Sequence, residues 1–233
     1  MRTNNRNRER ERLLSRQSAI MPDVADMTVA MIGLGGIGSN VADTLARIGF
    51  QHFILVDPDR VEEENVYPGA FDLRDVGSEK VEAMSRILIG LGVPPQQIRT
   101  ETYRVDNDHD VPIADIVVVG PDNMACRRDV WQQLSIYGNT ELALCGLLID
   151  ARMGGVGFEI HCVERGDGET GALYNQDVAN LQDQPLACGQ KATAFVTRLI
   201  AGTVGAWVRD WLVGKTPPAV TIFDADGRVF AAS

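Results

Sequence analysis

The sequence predicts an α/β protein: a doubly wound, mostly parallel sheet with helices on both faces and an antiparallel carboxyl-terminal extension. Three observations lead there. Short apolar runs rich in β-formers alternate with stretches of helical periodicity, the pattern of parallel strands joined by crossover helices. The runs Thr28–Ile32, Phe53–Val56 and Asp115–Val119 each end in a glycine or acidic turn. After Gly154 the pattern becomes strict alternation, with Val156, Phe158, Ile160 and Cys162 against Gly157, Glu159, His161 and Val163. Alternation of that kind marks a strand with one covered face, paired antiparallel.

The first run leads into Gly33, Gly35 and Gly38, which give the spacing G-x-G-x-x-G. The first glycine permits a tight turn, the second lets a phosphate approach the backbone, and the third lets helix and strand pack closely. Ser39–Ile48 carries Val41, Leu45 and Ile48 at helical spacing and stops at Gly49. Asp57 closes the next strand, about 20 residues beyond the glycines, where an acid binds ribose hydroxyls in a Rossmann-like unit. The free N–H groups at the helix start suit a phosphate. The stretch leaves the nucleotide open, since a dehydrogenase and an ATP-using enzyme could both begin this way.

After Asp59 an acidic, turn-rich loop runs through Pro68-Gly69, at the sheet edge where open α/β folds bind ligands. Ser78 is placed to cap a helix with Val81, Met84, Ile87, Leu88 and Leu91 inward, ended by Gly92, Pro94 and Pro95. Lys80 falls in its first turn, where a cation opposes the helix dipole. A nearby phosphate would account for it, and a solvated surface lysine is the plainer alternative. Ile98–Val105 alternates weakly as a strand, Met124–Tyr137 reads as a helix stopped by Gly138, and Leu142–Cys145 as a buried strand. Residues 164–187 read as a long loop. Gly189–Val213 reads as a long helix with Ala192, Phe195, Leu199, Trp207 and Trp211 inward. Val220–Phe223, the turn Asp224–Gly227 and Arg228–Phe230 form a closing hairpin.

The chain has 233 residues and a net charge of −10. Length and pattern indicate an arm over 1–22 and one domain over 23–233. Residues 1–16 hold six arginines against Glu9 and Glu11, a balance of +4 that leaves −14 for the rest. An acidic body speaks against nucleic acid or an anionic membrane as the main partner. The four cysteines, Cys126, Cys145, Cys162 and Cys188, form no C-x-x-C pair, so no zinc clip is expected. With no signal-peptide core and no uncharged run long enough to span a bilayer, the chain reads as cytoplasmic with reduced thiols. His52, His109 and His161 are scattered; His161, opposite Phe158 on its strand, reads as solvated. Cys126, Cys145 and Cys162 read as core.

Taken together, the ordered pieces resemble the ThiF/MoeB and ubiquitin-activating enzyme superfamily. GLGGIGS (33–39), with Gly33, Gly35, Gly36 and Gly38, resembles the family's glycine turn. LVDPDRVEEEN (55–65), DVGSEKVEA (75–83), PDNMACRRD (121–129), the cysteine and helix from Cys188, and the last hairpin resemble its later segments. The resemblance implies ATP and not a nicotinamide. By it Asp57 would bind the ribose and Gly35 would lie against the nucleotide. Asp59 and Asn65 would stand near the phosphates and Lys80 would grip them. Asp122, with Asn123 beside it, would orient Mg2+. The implied reaction is adenylation of the carboxyl-terminal glycine of a ubiquitin-like or sulfur-carrier protein, with Cys188 then taking the acyl group as a thioester or taking part in sulfur transfer. Adenylation of a small molecule, a peptide or a tRNA base, or service as a non-catalytic partner subunit, stands beside it. RLLSRQ (12–17) is similar to an entry segment whose second arginine reaches the partner subunit, so Arg16 would act in trans in a homodimer. Arg152 would face the nucleotide or the carrier tail. The chain departs from the family at Pro68, where an arginine is usual; Arg60 and Arg74 are the candidate replacements.

Overall fold

A computed structural model describes residues 10, 12–135, 144–180, 193–227 and 229–233. Eight strands form one sheet: β1 (Thr28–Ile32), β2 (His52–Val56), β3 (Ile98–Glu101), β4 (Ile116–Val119), β5 (Leu147–Gly154), β6 (Gly157–Glu164), β7 (Val220–Asp224) and β8 (Val229–Ala232). Their spatial order is β3-β2-β1-β4-β5-β6-β7-β8. Neighbours from β3 to β5 pair parallel, and β5 to β8 pair antiparallel. The predicted fold class is therefore the observed one, including its antiparallel extension.

Alternation in β1 builds two cores. Val29 and Met31 face one side with Phe53, Leu55, Ile116 and Val118. Over them lie α1 (Gly36–Ile48), α2 (Lys80–Gly90) and α5 (Ala194–Leu212). Ala30 and Ile32 face the other side with Val117, Val119, Leu148 and Val163, covered by α3 (Met124–Leu134) and α4 (Gly168–Asn180). Strands buried on both faces need continuous apolar sequence, which is why β4 reads IVVV. Each fully buried Val, Leu or Ile contributes about 1.5–3 kcal/mol.

Several expectations are corrected. The predicted loop at 164–187 contains α4. Asp167 caps it, its Oδ1 accepting the Thr170 N–H at 3.0 Å, and Tyr174 and Val178, four apart, fix it to the sheet. The strand expected at 142–145 instead starts at Leu147; Cys145 is buried just before it, and 142–143 lie outside the described residues. Helix α3 ends at Leu134, before 136–143, which lie outside the described residues. On α5, Phe195 and Leu199 are exposed, and Val196, Ile200, Val204 and Val208 form the inner face, one position along from the stripe expected. Trp207 and Trp211 do pack on the core, while Ala192 lies outside the described residues. Ser78 does not cap α2: Glu79 occupies the cap position, and Ser78 Oγ accepts from Arg86 at 3.2 Å.

Candidate functional site

The carboxyl ends of β2, β1 and β4 lie side by side, and the glycine turn, Asp57 and Asp122 stand at or just beyond them. Gly33 turns the chain with φ +87° and donates its N–H to Val56 O at 2.8 Å. A Cβ on Gly38 would stand 1.9 Å from Gly33 O, so only hydrogen fits. A Cβ on Gly33 would stand 2.7 Å from Pro121 N, which brings the β4–α3 corner against the glycine turn. Gly35 takes the cap position of α1 with no side-chain cap, and a Cβ built there meets nothing within 4 Å. Gly35 thus leaves open space at the start of α1, the end of a helix that has N–H groups to offer. Gly36 also serves packing. A Cβ there would crowd Thr197 at 3.1 Å, so its bare backbone admits α5.

Asp57 is buried at the end of β2. Its Oδ2 accepts the Leu34 N–H at 2.6 Å and its Oδ1 the Asp59 N–H at 2.8 Å. Burial raises its pKa above the usual carboxylate value, opposed by Lys80 and by the two backbone donors. Lys80, at the first position of α2, is 8% exposed and not a solvated lysine. Its Nζ lies 3.0 Å from Asp59 Oδ2 and 3.8 Å from Asp57 Oδ1. A cation in that position overcomes the dipole penalty by lying between two acids.

Asn65 is reached through the loop. Its Oδ1 accepts the Glu62 N–H at 3.0 Å, closing a short turn. Gly69 N–H then bonds Asn65 O, and Ala70 N–H bonds Ser39 Oγ, which itself donates to Gly35 O at 2.7 Å. Pro68 O accepts from Asn40 Nδ2 at 2.7 Å and Thr197 Oγ1 at 2.8 Å, pinning this loop over the glycine helix. Asp122 is exposed beyond β4. Asn123 caps α3, its Oδ1 accepting the Cys126 N–H at 2.8 Å. Arg74 pairs with Asp72 at 2.5 Å and Arg60 with Glu79 at 3.5 Å, so both candidate replacements at Pro68 have acid partners.

One further expectation is corrected. His161 is buried, with Nε2 2.9 Å from Glu159 Oε1 and 3.8 Å from Asp177 Oδ2. Arg152 is buried too and pairs with Asp150 at 2.6 Å and Asp177 at 2.6 Å. Helix α4 supplies Asp177 and Tyr174, so the missed helix hid this cluster. The signal available was Asp150, an acid closing the apolar run LLID with arginine two positions on. Cys126, Cys145 and Cys162 are buried, as expected. Burial pushes the Cys126 thiol up to about 11 and the other two to about 12. Cys188 lies outside the described residues. Arg16 is exposed. Its neighbour Gln17 bonds Arg47 O at 2.6 Å and Arg10 bonds Gly49 O at 3.1 Å, so the segment sits at the carboxyl end of α1. Thirteen helical residues put that end about 20 Å from the chain's own glycine turn.

Fold and site define a class: a doubly wound domain whose glycine turn, acids and buried lysine lie at the carboxyl ends of β1 and β2, beside the switch point between β1 and β4 where such sheets bind ligands. The chain belongs to the ThiF family, whose pattern matches residues 14–230. It is 40% identical over 82 residues to ubiquitin-like modifier-activating enzyme 5 of Drosophila persimilis, and 38% identical to that of Caenorhabditis briggsae. Each match covers 35% of this chain, and 21% and 19% of those proteins respectively, so it spans about a fifth of their length. In fold it is similar to E. coli MccB crystallised with ATP: TM-score 0.66, 19% identity, over 90% of this chain and 64% of that one. It is similar as well to PaaA, with TM-score 0.67 and 15% identity over 100% of this chain and 82% of that one. Among the described residues no helix is long and apolar enough to cross a membrane, and no group of three or more His, Cys, Asp or Glu is placed to hold a metal.

Proposed function

We propose that this chain is an ATP-dependent adenylyltransferase acting on the carboxyl-terminal carboxylate of a polypeptide, a ubiquitin-like or sulfur-carrier protein. The observation that carries the reading is Lys80, a buried cation held at the glycine-turn site by Asp57 and Asp59. The site fits a triphosphate: Gly35 leaves an open cradle at an uncapped helix start, and Asp57 lies beside it for ribose hydroxyls. Mg2+ would enter with the nucleotide. Asp122, exposed at the corner, is the hard oxygen ligand that would hold or orient it. Bound there, Mg2+ would supply charge neutralisation at the leaving pyrophosphate.

The substrate carboxylate is ionised at neutral pH, so no general base is required. One of its oxygens bonds the α-phosphorus while the bond from that phosphorus to the bridging pyrophosphate oxygen breaks. The products are an acyl-adenylate and pyrophosphate. Lys80 and the α1 N–H groups hold the phosphates in line, and Asp57 and Asp59 keep Lys80 in place. Cys188 would then take the acyl group as a thioester, releasing AMP. Arg16 lies too far to serve its own glycine turn and would act in a partner copy's site.

ATP–pyrophosphate exchange with carrier proteins ending in Gly-Gly tests the reading. Carrier-stimulated exchange supports it, and exchange absent with every carrier, peptide or small carboxylate removes it. Mixing Arg16→Ala with Lys80→Ala protein tests the trans role, since each mixed dimer would keep one complete site. Pro68 favours a second reading, a subunit that binds ATP weakly and lends Arg16 to an active partner; weak ATP binding by the isolated chain would select it.

A further inference from the structure

Arg127 is 3% exposed, one turn into α3, and the proposed reaction leaves it without a role. Its Nη2 donates to Pro121 O at 2.6 Å and to Ala151 O at 3.1 Å. Its Nη1 contacts Asp150, which is fully buried. Asp150 Oδ2 in turn accepts from Arg152 Nε at 2.8 Å, Arg152 Nη2 at 2.6 Å and the Tyr174 hydroxyl at 2.9 Å. The guanidinium therefore joins the turn after β4 to the middle of β5. Above it, Pro121 N is the atom a Cβ on Gly33 would meet, and Asp122 follows directly in the chain. Two arginines on one buried acid cost desolvation that an apolar core would avoid.

We infer that Arg127, locked by Asp150, is a positioning residue that holds the Pro121–Asp122 corner against the glycine turn and so aims the Asp122 carboxylate at nucleotide-bound Mg2+. This rests on the adenylation reading. A planar fork bonds two carbonyls and a carboxylate at fixed angles, and a lysine ammonium in its place keeps the charge but not the span.

The test is calorimetric binding of ATP by Arg127→Lys and wild-type protein, with Mg2+ varied from zero, alongside melting curves and amide exchange over residues 119–124. In the variant the Mg2+ concentration for half-maximal binding rises about tenfold, while Mg2+-free ATP affinity stays within twofold. Amides at 122–124 exchange faster, and the melting temperature falls by only a few degrees. Equal loss of affinity with and without Mg2+, or an unchanged Mg2+ dependence, overturns the positioning role. Should Arg127→Lys fail to fold, Tyr174→Phe decides, because it removes one bond to Asp150 without emptying the core. It should shift the Mg2+ dependence in the same direction, and an unshifted dependence overturns the proposal. A wild-type protein that binds no Mg2+·ATP removes the adenylation reading and this inference with it; normal wild-type binding beside an unaffected variant removes only the inference.

Discussion

Lys80 and Asp59 are joined twice. The Lys80 N–H donates to Asp59 O at 3.0 Å, and its ammonium lies 3.0 Å from Asp59 Oδ2. The backbone bond fixes where α2 begins, and the side-chain pair fixes where its first cation points. Asp59 is half exposed while Lys80 is not, so an arriving phosphate competes with Asp59 from the open side.

Replacing Lys80 by alanine should lower the rate of pyrophosphate exchange by about a hundred- to a thousandfold, the roughly 2.7–4 kcal/mol typical of preorganised charge-stabilising donors. The melting temperature should fall as well, because Asp57 loses its cation. Exchange kinetics and calorimetry check both. A variant with full exchange would exclude Lys80 from the phosphate site.

Gly35 and Gly38 separate binding from folding. Gly38→Ala forces a Cβ to 1.9 Å from Gly33 O, so the turn must shift, at a cost of about 1–3 kcal/mol or more. Gly35→Ala meets nothing within 4 Å and should melt like wild type, yet bind ATP at least tenfold more weakly because its methyl would enter the cradle. Melting curves and nucleotide titration on the pair check this.

Pro68→Arg should strengthen ATP binding by about tenfold, which is about 1.4 kcal/mol. The Pro68 carbonyl is held by Asn40 and Thr197 whatever the side chain, so the new guanidinium would start beside Gly36. An unchanged affinity would show that the proline costs the site nothing.

The pKa of Asp57 is raised from its ordinary value of 3.8, chiefly by burial. Above 3.8 the folded carboxyl then holds its proton where the unfolded one has lost it, so the folded state binds more protons and stability falls as pH rises through that window. Other acids, such as Asp23, shift the opposite way, so the comparison is with Asp57→Asn. The melting temperature of wild type minus that of Asp57→Asn should be larger at pH 4 than at pH 7. A difference that grows toward neutral pH would contradict the assignment.

Much of the site was legible because its residues are tied to local backbone geometry. Gly33 and Gly38 follow from a turn whose atoms nearly touch, and Asp57 and Lys80 from the ends of a strand and a helix. The buried charges were not, because Arg127, Asp150, Arg152 and Asp177 come from three elements and meet only after the sheet forms. His161 read as solvated because alternation says which face a residue takes and not what covers it; α4 covers it. The helix itself was missed because Gly168-Glu-Thr-Gly is a weak start, and Tyr174 and Val178 stabilise it only by docking on the sheet. Gly36 and Asn123 belong to local motifs, and the fold adds the packing against Thr197 and the helix cap that the motifs do not state.

By itself the sequence determined the strand–turn–helix order, the parallel sheet with its antiparallel end, and the acids placed at strand ends with the lysine at a helix start, because apolar period and glycine spacing are properties of neighbouring residues. The tertiary structure alone decided which charges are buried, which face of α5 is inward, and that Arg16 lies a helix length from its own glycine turn. Those outcomes depend on which distant surfaces meet, and desolvation acts on a side chain only once they have.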